Sequence, residues 1–141
     1  MVGLLFVSHG KTAEGWLDSL TMFFGENIEA VDTLTLTLED SAEEYGERIH
    51  EKIAQLDQGE GVIVLADLRG GTPANQASMY ISDKVKVVYG VNLPLCIELL
   101  SVRDNGEEID LEEIVLRSQQ AILTSDTLFS DTVQEENEDE L

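Results

Sequence analysis

A chain of 141 residues, 43% apolar and 26% charged, has the length and composition of one globular domain. Eight basic against 29 acidic residues give a net charge of −21, which repels nucleic-acid backbones and anionic lipid and favours basic protein partners. No apolar run approaches the roughly 20 residues that cross a bilayer, and the N-terminus, MVGLLFVSHG, lacks the basic segment and cleavage site of a signal peptide, so a cytoplasmic protein with no direct membrane insertion is expected.

Residues 2–8, VGLLFVS, read as a first strand. Over 13–24 the residues Ala13, Trp16, Leu17, Leu20, Phe23 and Phe24 recur at helical spacing, with Gly25 as the stop. Aromatic residues at that spacing read as core. Residues 30–36, AVDTLTL, alternate as a half-buried, outer strand does. Ser41 and Glu44 form a capping box, opening a helix whose apolar face is Ala42, Tyr45, Ile49, Ile53 and Leu56 and which ends near Asp57. His50 lies off that face and reads as a surface residue. Residues 61–66, GVIVLA, read as a central strand buried on both faces, delivering Asp67 at its carboxyl end. After the loop LRGGT, Pro73 suits the first position of a short helix to about Ile81. Residues 84–89, KVKVVY, make a fourth strand, and GVNLP leads into an apolar helix over about 94–102, with Cys96 as a buried filler. Asp110 and Glu113 cap a helix to about Leu123. The segment 124–133, TSDTLFSDTV, is either a short extra strand or a disordered arm. Seven acidic residues and no basic one between Asp126 and Leu141 make a solvated tail, so the expected organisation is a domain over 1–125 and an acidic arm over 126–141.

Strands alternating with helices predict an α/β fold, an open and mainly parallel sheet with helices on both faces. In the flavodoxin-like order 2-1-3-4, strands one and three are neighbours, so His9 and Asp67 emerge side by side beyond their carboxyl ends, where such sheets bind ligands. A carboxylate beside an imidazole fixes one ring nitrogen and leaves the other as nucleophile or base. Gly70 and Gly71 let backbone amides approach an anion, Thr72 adds a hydroxyl, and a helix start directs its positive dipole end at the same space. A nucleophilic imidazole facing an oxyanion pocket suits phosphoryl transfer. No Walker-type GxxxxGK[ST] is present, so the phosphoryl group arrives already activated. Taken singly, each element has a plainer reading: a structural histidine, turn chemistry leading into a helix, an aspartate cap. Two distant histidines and one cysteine lack the spacing of a zinc centre, so no metal and no cofactor is expected.

These residues carry a resemblance. SHG at 8–10, DLRGGTPAN at 67–75 and GVNLP at 90–94 before an apolar helix with Glu98 make residues 1 to about 125 similar to the IIA domain of the mannose family of the bacterial phosphoenolpyruvate-dependent sugar phosphotransferase system (PTS). The resemblance implies a phosphotransferase that accepts a phosphoryl group from the phosphocarrier HPr on His9. It then passes the group to a histidine of the IIB component, which phosphorylates sugar as the membrane permease components import it. It further implies that Asp67 pairs with His9, that Thr72 stands at the phosphoryl group, and that a C-terminal antiparallel strand over 124–133 is exchanged in a homodimer. Arg69 stands where related domains carry an aromatic or apolar residue. It is a phosphate contact, a partner contact or a solvent-facing loop residue. Asn75 and Asn92 brace the loops of the site or serve as plain caps.

Other classes stay open at this point. They are a receiver-like module phosphorylated on Asp67, a flavin-binding or other anion-binding module on the same fold, and the phosphocarrier domain of dihydroxyacetone kinase, against which GGTPAN and GVNLP favour the sugar-transport family. A hydrolase is the weakest reading, because no GxSxG elbow supplies a nucleophile.

Overall fold

The computed structural model describes residues 1–130. Its elements are β1 (Gly3–His9), α1 (Thr12–Phe24), β2 (Val31–Leu36), α2 (Ala42–Leu56), β3 (Val62–Ala66), α3 (Gly71–Ser78), β4 (Val85–Tyr89), α4 (Leu93–Asp104) and α5 (Leu111–Gln119). The chain divides into two compact units, Met1–Ile109 and Asp110–Leu141.

The first unit is built on a four-stranded parallel sheet in the order β2-β1-β3-β4, the order the alternation of elements predicts. β1 and β3 are central, and Gly3 to Ser8 and Val62 to Ala66 are all buried. β2 buries only Leu34 fully, as an outer strand does. Side chains alternate between the faces. Leu5, Val7, Val62, Val64 and Ala66 share one core layer with Tyr45, Ile49 and Ile53 of α2 and Ala74 and Ala77 of α3. Towards the opposite face Phe6 meets Trp16 of α1, ring centroids 5.9 Å apart, and α1 packs beside α4. Each fully buried aliphatic side chain in these layers contributes about 1.5–3 kcal/mol. Gly46 lets α2 close on α3, since a Cβ there would collide with the side chain of Gln76.

Arg103, near the end of α4, is a buried cation that the apolar pattern did not announce. Its guanidinium donates to the carbonyls of Val2, Ala30 and Glu29 at 3.1, 3.1 and 2.6 Å and to Asp104 Oδ1 at 3.0 Å. It ties α4 to the entrances of β1 and β2.

Several elements differ from expectation. α3 begins at Gly71, so Pro73 occupies its third helical position. The first-turn amides all lack helical partners, so proline is tolerated there equally. α3 also stops at Ser78 and α5 at Gln119, each followed by a looser turn of i to i−3 hydrogen bonds that prolongs the helical pattern in sequence. Phe23 is 61% exposed; at about 100° per residue it falls at the margin of the stripe centred on Ala13, Leu20 and Phe24.

In the second unit, Asp110 caps α5 by accepting from the Glu113 amide at 3.2 Å, and Glu113 pairs with Arg117 at 2.9 Å. Residues 125–130 are helical, neither the strand nor the disordered arm expected over 124–133, whose last three residues lie outside the described residues together with the rest of the acidic tail. Thr124 opens that helix, accepting from the Thr127 amide at 3.3 Å. A capped helix satisfies its amides within the segment, whereas a strand requires a neighbouring edge.

Candidate functional site

β1 and β3 pair with Val7 opposite Ala66, so the chain leaves both strands at one level of the sheet and the residues next in line meet. Asp67 Oδ2 lies 3.0 Å from His9 Nδ1 and also accepts from the His9 backbone N–H at 3.0 Å. Its other oxygen accepts from the Leu68 N–H at 2.9 Å. An ionised carboxylate only accepts, so in the neutral ring this contact favours the tautomer with the proton on Nδ1 and the lone pair on Nε2. The His9 side chain is 45% exposed and that of Asp67 11%. The imidazole is the group that reaches out.

The ring's far edge lies against the start of α3. Gly71 has φ +81°, and a Cβ there would sit 2.8 Å from His9 Cε1 and 3.0 Å from Nε2. Gly70, the N-cap of α3, is also left-handed at φ +83°. Glycine is therefore required at Gly71 twice over, for its backbone conformation and for the room it leaves the ring. The unpaired amides and positive dipole end of α3 lie beside Nε2. Thr72, next along, is half-buried.

The turn that carries His9 is fixed from within. Ser8 is fully buried; its hydroxyl donates to the Gly10 carbonyl at 2.9 Å and accepts from the Ala13 N–H at 2.8 Å, supplying the cap that Lys11, at the N-cap position of α1, does not. Tyr45 is fully buried too, and its hydroxyl donates to the Leu34 carbonyl at 2.7 Å. Burial pushes that hydroxyl well above the ordinary tyrosine range, and the negative charge of Asp67 acts in the same direction. Neither Ser8 nor Tyr45 had been singled out for a role at the site. A serine at the end of an apolar strand, two residues before a glycine, is a usable signal for the first; nothing local marks the second.

The remaining sequence candidates are placed as follows. Arg69 is exposed and has no ion pair with a described residue. Asn75 is exposed on α3. Asn92 caps α4, its side chain accepting from the Leu95 N–H at 3.0 Å. His50 is a surface residue whose ring packs on Tyr80 at 4.8 Å. Cys96 is buried, and burial pushes its thiol up to about 12, far from a reactive thiolate. Among the described residues no helix is long and apolar enough to cross a membrane.

The EIIA-man profile, described as the PTS system fructose IIA component, matches residues 3–118 and so spans every residue of the site. The chain belongs to this family. It is 34% identical over 111 residues to the PTS system mannose-specific EIIAB component of Escherichia coli strain K12, covering 77% of this chain and 34% of that protein. The chain thus spans about a third of that relative's length. It is 28% identical over 107 residues to the PTS system fructose-specific EIIA component of Bacillus subtilis strain 168, covering 74% of this chain and 73% of the relative. Among solved structures, the PTS IIA protein associated with the fucose utilization operon of Streptococcus pneumoniae superposes with a TM-score of 0.83 at 36% identity, over 92% of this chain and 99% of that one. The flavodoxin-like order of the IIA sheet is shared with that structure.

Proposed function

We propose that this IIA component carries a phosphoryl group on His9 Nε2, taking it from HPr and delivering it to a histidine of a IIB partner. The 3.0 Å contact between His9 Nδ1 and Asp67 Oδ2 carries this reading, since it leaves Nε2 as the free nucleophile at the start of α3. In the first step the Nε2 lone pair forms an N–P bond as the bond from phosphorus to the donor breaks, its electron pair leaving with the donor atom. The ring becomes a phosphoimidazolium with its proton still on Nδ1, and the Asp67 carboxylate offsets the new positive charge. In the second step the N–P bond breaks, the pair returns to Nε2, and the acceptor imidazole takes the phosphoryl group. Gly70 and Gly71 admit the phosphoryl oxygens to the amides of α3, and Thr72 adds a hydroxyl donor. Sugar uptake follows through IIB and the permease components. The protein acts in the cytoplasm as a homodimer, a state supported by the family resemblance alone, and residues 1–125 form the working domain.

Phosphorylation of Asp67 in the manner of a receiver is the second reading. Against it, both Asp67 oxygens already accept hydrogen bonds, Oδ2 from two donors on His9. Labelling with phosphoenolpyruvate and the general phosphotransfer proteins tests the choice. About one phosphoryl group per chain is expected, stable in alkali and lost in acid, and none on His9→Ala. Full labelling of that variant, or an alkali-labile product, overturns the assignment.

A further inference from the structure

The eight cations of this chain are not evenly engaged. Arg48, Lys52, Arg103 and Arg117 pair with carboxylates, and Lys84 donates to the Gly59 carbonyl. Lys11, Arg69 and Lys86 have no partner among the described residues. Lys86 lies in the middle of β4. The other two flank the site along the chain: Lys11 is two residues beyond His9, and Arg69 two beyond Asp67, and both are exposed. Two residues span at most about 7 Å between Cα atoms, well within the combined reach of these side chains and the imidazole.

Both positions oppose local helix chemistry. Lys11 is the N-cap residue of α1 and makes no side-chain cap hydrogen bond. Arg69 directly precedes Gly70, the N-cap of α3, and the first turn of α3 holds no acid. A cation at a helix N-terminus is repelled by the dipole. The other helices have no cation at these places: α2, α4 and α5 are capped by Ser41, Asn92 and Asp110, and α2 and α5 carry Glu43, Glu44, Glu112 and Glu113 in their first turns, as α1 carries Glu14. In a protein with 29 acidic residues, the two helices that begin beside His9 receive free cations instead. An anion between them removes the conflict.

Resting on the reading that His9 carries the phosphoryl group, we propose that Lys11 and Arg69 form a cationic clamp on the non-bridging oxygens of that group. Lys11 acts from the β1–α1 turn and Arg69 from the β3–α3 loop. The acids that work against them are Asp67, held to His9, and Glu14 in the first turn of α1, which accepts from Thr35 Oγ1 at 3.3 Å. Adding a doubly charged phosphoryl group beside these carboxylates is what the two cations offset.

The test is a phosphorus NMR titration of the full chain, phosphorylated on His9, for wild type and for Lys11→Gln, Arg69→Gln and the double variant. A neighbouring cation favours the dianion, so each removal is expected to raise the midpoint of the second phosphoryl ionisation by about half a unit. Arg69→Lys should restore most of the wild-type value, and Lys86→Gln should leave it in place. An unmoved midpoint in the double variant, or an equal shift from Lys86→Gln, overturns the clamp. Failure of wild type to take phosphate on His9 overturns the underlying reading and the clamp with it, whereas a normal endpoint with no shift overturns the clamp alone.

Discussion

At the scale of single residues, the reactivity proposed for His9 rests on how few of its atoms are left free. One carboxylate oxygen takes both its backbone N–H and its Nδ1–H, which fixes the strand end and the tautomer together. Asp67→Asn keeps an oxygen acceptor and removes the charge that stabilises the phosphoimidazolium. Transfer from HPr is expected to slow by about tenfold to a hundredfold, measured by rapid-quench labelling; an unchanged rate would leave the carboxylate charge without a part in the step. Gly71→Ala combines a left-handed backbone position, worth about 1–2 kcal/mol, with a Cβ pressed into the His9 ring at 2.8 Å. Labelling should fall about tenfold or more. Gly106→Ala is the control, because Gly106 has φ +71° with open space around it and should lose stability without losing transfer.

At the scale of elements, the sheet is pinned at the end opposite the site. Arg103 gathers three carbonyls from the entrances of β1 and β2, and removing it takes a buried guanidinium and all of these bonds away together. Arg103→Leu is expected to cost about 3 kcal/mol, read from denaturant unfolding, while the labelling endpoint is retained. Undiminished stability would show that other donors satisfy those carbonyls. The connection from α2 to β3 depends on Asp57, whose Oδ1 accepts from the amides of Gly59 and Gly61 at 2.8 and 3.0 Å. The Gly59 bond first, then that of Gly61, holds the carboxyl below its ordinary range. A depressed folded value means the stabilisation is present above the unfolded value near about 4 and is lost as pH falls through the folded one. The stability gap between wild type and Asp57→Ala should therefore be open at neutral pH and narrow below about pH 4; a gap independent of pH would detach those bonds from the carboxylate charge.

At the scale of the whole molecule, the chain carries a net charge of −21. The field favours a donor with a basic face and accelerates encounter rather than chemistry. Phosphoryl transfer from HPr should slow several-fold between low ionic strength and about 0.5 M salt, with the final extent of labelling unchanged. Rates flat across that range would remove the electrostatic role of the surface.

The α/β class, the strand order, the helix caps at Ser41 and Asp110 and the meeting of His9 with Asp67 were legible in the sequence. Each follows from a local period, from a cap, or from the rule that a parallel sheet gathers its functional residues at its carboxyl edge. Gly71 is legible as a glycine that opens amides to an anion but not as the residue whose missing Cβ makes room for the imidazole, and Tyr45 reads as one more apolar contact. Arg103 lies 101 positions from the Val2 carbonyl it binds, a separation at which no periodicity speaks. Residues 125–130 turned helical because capping chemistry acts within a segment, while a strand depends on an edge supplied from elsewhere. The sequence thus determined which polar side chains emerge together at the carboxyl edge of the sheet. Only the tertiary structure decided which backbone the ring touches, because contacts between distant segments are set by packing that local sequence does not contain.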